Sequence, residues 1–268
     1  MNTLNELIAD PVKVKETRGL PRALLLLVPI KTEERQEFWS SLADAHNAGK
    51  IDLVAEFALL RNGKENPDFF RARQIFVNTF PELETNCVNV ARTLAHLVIE
   101  AGGDMAASWP LEPFRTYLDQ DPKRPVEILT AIEADPISLA VLLPVTAAAG
   151  FTSDRPYFID EVVRLTKVPD ELLQRMAVAA LANVPLGEGE TTLPSETLAS
   201  LEDVVATSDH DGVLAASLSA ALTLSLKNKL ALPRLTEVVR LALQKGATGR
   251  SEWLRTASPG MSRSSTSL

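Results

Sequence analysis

The stretch Ser195–Lys229 (SETLASLEDVVATSDHDGVLAASLSAALTLSLKNK) decides how the rest of the chain is read. Its first half puts Leu198, Leu201, Val204 and Val205 at helical spacing on one face and leaves Glu202 and Asp203 for solvent. Its second half is apolar nearly all the way round. Val213, Ala216, Ala220 and Leu224 form one stripe, Leu214, Leu218 and Leu222 form a second, and Ala215 and Ala221 lie between them. The corner Ser208-Asp209-His210-Asp211 offers two carboxylates to accept the unpaired N–H groups of the next helix and to favour its positive end. A helix with so little polar surface must lie between neighbours on two sides. A hairpin that cannot bury itself requires similar hairpins beside it.

An amphipathic helix, a corner with aspartate, then an alanine- and leucine-rich inner helix resembles the HEAT and armadillo type of α-solenoid. The residues that carry the resemblance are Leu201, Val204, Val205, Asp209, Val213, Ala216, Ala220 and Leu222. That family often has Val-Arg at the start of its inner helix; here Val213 is followed by Leu214, so the basic rung is missing. The resemblance implies stacked antiparallel helical hairpins in a right-handed superhelix, used as a scaffold or adaptor for another protein.

Composition points the same way. The 268 residues can hold one elongated solenoid or two small domains. Hydrophobic residues make up 46% and aromatics only 5%, so helix-forming Ala and Leu supply much of the apolar content and strand formers are thin. The expected class is all-α. The single Cys87 excludes an internal disulfide and a multi-cysteine zinc site and suits a reducing cytosol. Asn2-Thr3-Leu4-Asn5-Glu6 is polar and lacks the basic start of a signal peptide, and the longest apolar run, Ala23–Ile30, is well short of the roughly 20 residues that cross a bilayer. The expected location is cytoplasmic, with no membrane contact.

Taken in order, a short helix is expected over Asn2–Ala9, then an irregular passage to Arg18 and an apolar run ended by Pro29, either helix or strand. Thr32 should cap a helix with Phe38, Leu42 and Ala45 buried, and a second should cover Ile51–Leu60. Phe69, Phe70, Ile75 and Phe76 read as core packing. Pro81 should open the longest helix, to about Ala101, with Leu83, Cys87, Val90, Leu94, Leu97 and Val98 on its face. Ser108-Trp109-Pro110 and Pro125 begin shorter ones, and Asp135-Pro136 caps an apolar helix kinked at Pro144 and ended by Gly150. Pro156–Leu165 with Pro169–Asn183 makes the next pair, and Pro233–Lys245 follows the opening stretch. Inner helices starting near 136, 170, 211 and 251 are 34 to 41 residues apart, within the period of helical-pair repeats. The expected organisation is an N-terminal helical region over 1–120, HEAT-like repeats over 121–255 and a disordered Ser-rich tail over 256–268.

Catalytic signatures do not emerge. His46, His96 and His210 lie far apart and belong to no metal-binding spacing. Cys87 and His96, nine positions apart on one helix, fall half a turn out of phase, which leaves a core thiol and a partly exposed imidazole in place of a nucleophile and its base. There is no phosphate-cradling glycine motif; Gly187-Glu188-Gly189-Glu190 is acidic and reads as a mobile surface loop. Glu33/Glu34, Asp160/Glu161 and Glu202/Asp203 serve solubility and helix starts. No cofactor is expected.

Charge is uneven. Residues 135–226 carry 4 basic and 13 acidic side chains, whereas 227–268 carry 8 and 2, in a chain of net charge −8. The basic set Lys227, Lys229, Arg234, Arg240, Lys245, Arg250 and Arg255 is the candidate contact surface for an acidic partner or a phosphate backbone. Against it, Lys227, Lys229 and Lys245 equally suit the negative ends of helices. The preferred expectation is a non-catalytic helical-repeat module that binds a protein partner, or a second copy through its oppositely charged ends. An acidic overall balance disfavours the alternative, a nucleic-acid-binding or processing protein anchored by the basic helices. A further alternative is the helical regulatory part of a larger sensor or effector protein.

Overall fold

A computed structural model describes Leu4, Glu6, Leu7 and residues 19–64, 66–102, 110–187 and 189–256, with side chains to 246. The described residues are all-helical, with no strand among them. The expected Ser-rich tail after Thr256, the passage from 8 to 18 and Ser108-Trp109 lie outside the described residues; of the expected first helix, Leu4, Glu6 and Leu7 are helical. The chain divides into two compact units, Met1–Ser153 and Asp154–Leu268.

The first unit contains α1 (Leu20–Leu25), α2 (Thr32–Asn47), α3 (Leu53–Ala58), α4 (Phe69–Thr79), α5 (Cys87–Ala101), α6 (Leu111–Asp119), α7 (Lys123–Ala134), α8 (Pro136–Leu139) and α9 (Leu143–Ser153). The run ended by Pro29 is therefore a helix in its first part. Its core is a chain of aromatic rings: Phe57, Phe76, Phe80 and Tyr117 follow one another at centroid separations of 5.4, 5.8 and 5.6 Å, all fully buried. Such offset and edge-to-face contacts add to the burial of large apolar area. α5 packs on α3 and α7, and Thr93 Oγ1 donates to the Val54 carbonyl at 3.0 Å to fix the first contact.

Two proline expectations are corrected here. Pro81 does not open the long helix; it sits in a 3-10 turn, Phe80–Glu82, and α5 begins after Asn86, whose side chain accepts the Val88 N–H at 2.8 Å. A true N-cap outranks a proline with no following cap. Pro144 produces a break where a kink was expected. Proline has no N–H and its ring crowds the carbonyl four residues earlier. Hence α8 passes through a 3-10 turn, Ala140–Leu142, and α9 restarts at Leu143 and runs past a buried Gly150 to Ser153. Asp135 does cap α8, accepting from Ser138 N–H at 3.3 Å. Pro136–Ser153 is also the one described helical run long and apolar enough to cross a membrane, with a mean hydropathy of 1.5; half of it is buried, with α9 against α6 and α7.

The second unit contains α10 (Arg155–Leu165), α11 (Glu171–Leu181), α12 (Ser195–Thr207), α13 (Asp211–Lys227) and α14 (Leu232–Thr256), the last longer than the Pro233–Lys245 expected. Asp154 and Asp170 cap α10 and α11, accepting from Tyr157 and Leu173 N–H at 3.2 and 2.7 Å. The aspartate cap expected for α13 is absent. His210 holds the cap position without a side-chain bond, Asp211 is already the first helical residue, and Asp209 is 94% exposed. Asp211 therefore acts on the helix dipole alone. α10 pairs with α11 and α12 with α13; α10, α12 and α14 pack successively in one layer, and α11 packs on α13 in the other. All four residues read as the buried face of α12, Leu198, Leu201, Val204 and Val205, are buried.

Candidate functional site

The imidazoles and the thiol do not converge. Cys87 is buried and its Sγ donates to Glu127 Oε2 at 3.1 Å. Burial foremost, then the Glu127 carboxylate, pushes the thiol up to about 12, so it is not a nucleophile near neutral pH. His96 faces elsewhere: its Nε2 donates to the Leu60 carbonyl at 2.7 Å and Nδ1 accepts from Arg61 at 2.8 Å. His46 Nδ1 accepts the Leu53 N–H at 3.2 Å, and His210 lies 3.5 Å from Glu171. Among the described residues no three His, Cys, Asp or Glu side chains could hold a metal ion.

A cavity of about 340 Å³ in the first unit is lined by Trp39, Gln36, Gln74, Arg35 and Arg71 among others. Its guanidinium groups are engaged by the chain itself: Arg35 donates to the Pro29 and Ile30 carbonyls at 3.0 and 3.2 Å, and Arg71 to Asp68 at 3.2 Å. That arrangement fixes the turn before α2 and leaves no cation committed to a ligand.

The basic set is scattered into structural tasks. Arg234 makes a two-pronged pair with Glu202 at 2.7 and 2.6 Å, joining α14 to α12, and holds that carboxyl below its ordinary range. Arg240 pairs in the same manner with Glu237 on its own helix. Lys227 Nζ donates to the Ala182 carbonyl at 2.8 Å, just past α11. Lys245 Nζ reaches the Ala206 and Ser208 carbonyls at 2.8 and 3.1 Å, closing α12. Both lysines thus satisfy the exposed carbonyls of other helices, where a cation also meets the negative end of the dipole. Lys229 is exposed beside a 3-10 turn, Lys229–Ala231. The side chains of Arg250 and Arg255 lie outside the described residues. The acidic loop is held as well, by Arg155, which donates to Glu190 at 3.2 and 2.7 Å and to the Pro185 carbonyl at 3.1 Å. This corrects the mobile reading at its Glu190 end.

What the sequence reading missed is an open face. α13 was expected to be enclosed on two sides. It buries Val213, Leu214, Ser217, Ala220, Ala221 and Leu224, but Leu222 is 51% and Leu226 86% exposed, and Ala215 and Ser219 also face solvent. Beside that face, α14 exposes Leu243 at 54%. Between the two helices runs a groove of about 500 Å³ lined by Asp211, Gly212, Leu214, Ala215, Leu218, Ala242, Leu243 and Gly246. From Gly212 to Leu226 there is no charged residue at all. A solvent-facing helix normally keeps a charged stripe, and a contiguous apolar patch marks an interaction site. The signal in the sequence was the missing polar stripe; which side would be left open was not written there. In comparisons of sequence and of structure, the chain matches no protein-family model, no curated protein and no solved structure.

Proposed function

We propose that this chain is a non-catalytic helical module that binds another protein, with the helices of its second unit stacked in the HEAT-like manner. The open apolar face of α13 and α14 carries the reading: 15 consecutive residues without charge, of which Leu222 and Leu226 are half or more exposed. The alternation of α10, α12 and α14 in one layer with α11 and α13 in the other supports the stacking. The inert Cys87 and the separated histidines favour binding over catalysis. Engagement of Arg234, Arg240, Lys227 and Lys245 within the chain weighs against a phosphate-binding edge.

Affinity capture from a lysate with the full chain as bait tests the reading, read beside nucleic-acid binding at low salt. We expect one stoichiometric protein partner and no salt-dependent retention of nucleic acid. No retained protein, together with salt-dependent nucleic-acid binding, would reverse the assignment.

A further inference from the structure

We infer that the groove between α13 and α14 receives one amphipathic helix from a partner protein, lying beside α13 as the next member of its layer; this rests on the protein-binding reading above. Three successive helices, α10, α12 and α14, form one layer of the second unit, while the other holds only α11 and α13. The groove lies along α13 and α14, where a third member of the shorter layer would pack. Its walls suit a helix. Gly212, Ala215, Ala242 and Gly246 carry little or no side chain, which lets another backbone approach closely, and Leu218 and Leu243 project as the ridges between which its side chains would fit.

The chemistry of the occupant follows from the lining. It needs apolar residues at positions i, i+3, i+4 and i+7 to match a floor without charge. Asp211 is the one charged side chain of the lining, and the exposed Asp209 stands two residues before it. A Lys or Arg on the partner helix at that end meets both carboxylates. The chain's own last residues do not fit: 257–268 (ASPGMSRSSTSL) offer only Met261 and Leu268 as large apolar groups and contain the helix-breaking Pro259-Gly260. A second copy presenting the same groove would set hollow against hollow, with no ridge to fill either.

The test uses the full chain and a fluorescent 18-residue peptide with leucine and alanine on one helical face and lysine and glutamine on the other. Ala215→Arg, at an exposed position, places a charged side chain in the groove, and Leu222→Gln is a milder second variant for which folding is not in question. Thr130→Lys, in the first unit, is the control. We expect saturable binding by the wild type and by Thr130→Lys, weakened at least tenfold by Ala215→Arg and several-fold by Leu222→Gln. Equal binding by all variants, or none by the wild type, would overturn the inference. Self-association of the unliganded chain that Ala215→Arg abolishes would also overturn it, by giving the groove to a second copy. A lysate partner retained equally by wild type and Ala215→Arg leaves the protein-binding reading standing and removes the groove from it. If no partner is retained by any form, that reading itself fails.

Discussion

Thr166 Oγ1 and Ser200 Oγ lie 2.6 Å apart, both side chains buried, where α10 ends against α12. Thr166 gives its own proton to the Val163 carbonyl at 2.7 Å, so Ser200 is the donor between them. A hydroxyl pair of this kind sets the register of two helices that otherwise touch through apolar side chains. Ser200→Ala removes the donor and leaves Thr166 still bonded, and should destabilise the chain by about 1 kcal/mol. Thr166→Val leaves the Ser200 hydroxyl buried without its acceptor and should cost more. Urea unfolding of both variants gives the order; the reverse order would mean that the proton assignment is wrong.

One turn earlier on α12, Thr197 is fully buried and its Oγ1 finds no hydrogen-bond partner among the described residues. A buried hydroxyl without a partner carries its desolvation penalty uncompensated. Valine has nearly the same shape without that group. Thr197→Val should therefore raise stability by up to about 1 kcal/mol, seen as a higher midpoint in urea with an unchanged slope. A lower midpoint would show that the hydroxyl is satisfied.

The Arg234–Glu202 pair joins the first and last members of a hairpin-spanning contact, α12 and α14, and both side chains are about half exposed. Exposure keeps its worth to at most about 1 kcal/mol, and salt reduces it further. The hydrogen bonds from Arg234 depress the Glu202 carboxyl below its ordinary value of 4.5. A depressed carboxyl contributes stability that is complete above the unfolded value and is lost as pH falls through the folded one. Glu202→Gln should thus destabilise the chain at pH 7 and make no difference once the pH is below the folded value. A difference that persists in acid would mean that packing, not charge, links these side chains.

Cys87 gives a second pH-linked expectation with the opposite sign. Its thiol is raised from 9.0 to about 12, by burial first and by Glu127 second. The folded chain therefore holds the proton more tightly than the unfolded chain, so this contribution is complete below pH 9 and is lost as pH rises toward 12. At pH 8 the native chain should react with a thiol-specific disulfide reagent far more slowly than the urea-unfolded chain. Equal rates would place the thiol at the surface.

Local structure was more legible in the sequence than tertiary pairing, for a physical reason. Apolar spacing located the buried face of α12, and Asp135 ahead of Pro136 marked the start of α8, because both signals act within a turn or two of helix. Asp209 and Asp211 misled because a cap depends on which residue takes the last non-helical backbone, and His210 takes it. Lys227 and Lys245 were read as favouring helix ends, yet their carbonyl partners are 45, 39 and 37 residues away. No local pattern encodes such pairs. The open groove was hidden for a related reason: composition tells how greasy α13 is, not how many neighbours it has.

That distinction can be measured on two leucines of α13 only two residues apart. Leu224 is fully buried and Leu222 is 51% exposed. Truncating a buried leucine removes its transfer free energy and leaves a cavity, so Leu224→Ala should cost about 2–5 kcal/mol. At Leu222 much of the side chain already faces water and no closed cavity forms, so Leu222→Ala should cost less than about 1 kcal/mol. The bland alternative, a helix enclosed all round, requires both substitutions to be severe. Chemical unfolding of the two single variants, with matched slopes as the check on two-state behaviour, separates the cases. If the groove is a binding face, adding a helical ligand that fills it should bring the cost of Leu222→Ala toward that of a core position, because the ligand stabilises the wild type more than the variant. A Leu222→Ala cost as large as that of Leu224→Ala without any ligand would mean that the face is already covered, and the binding reading would lose its principal support.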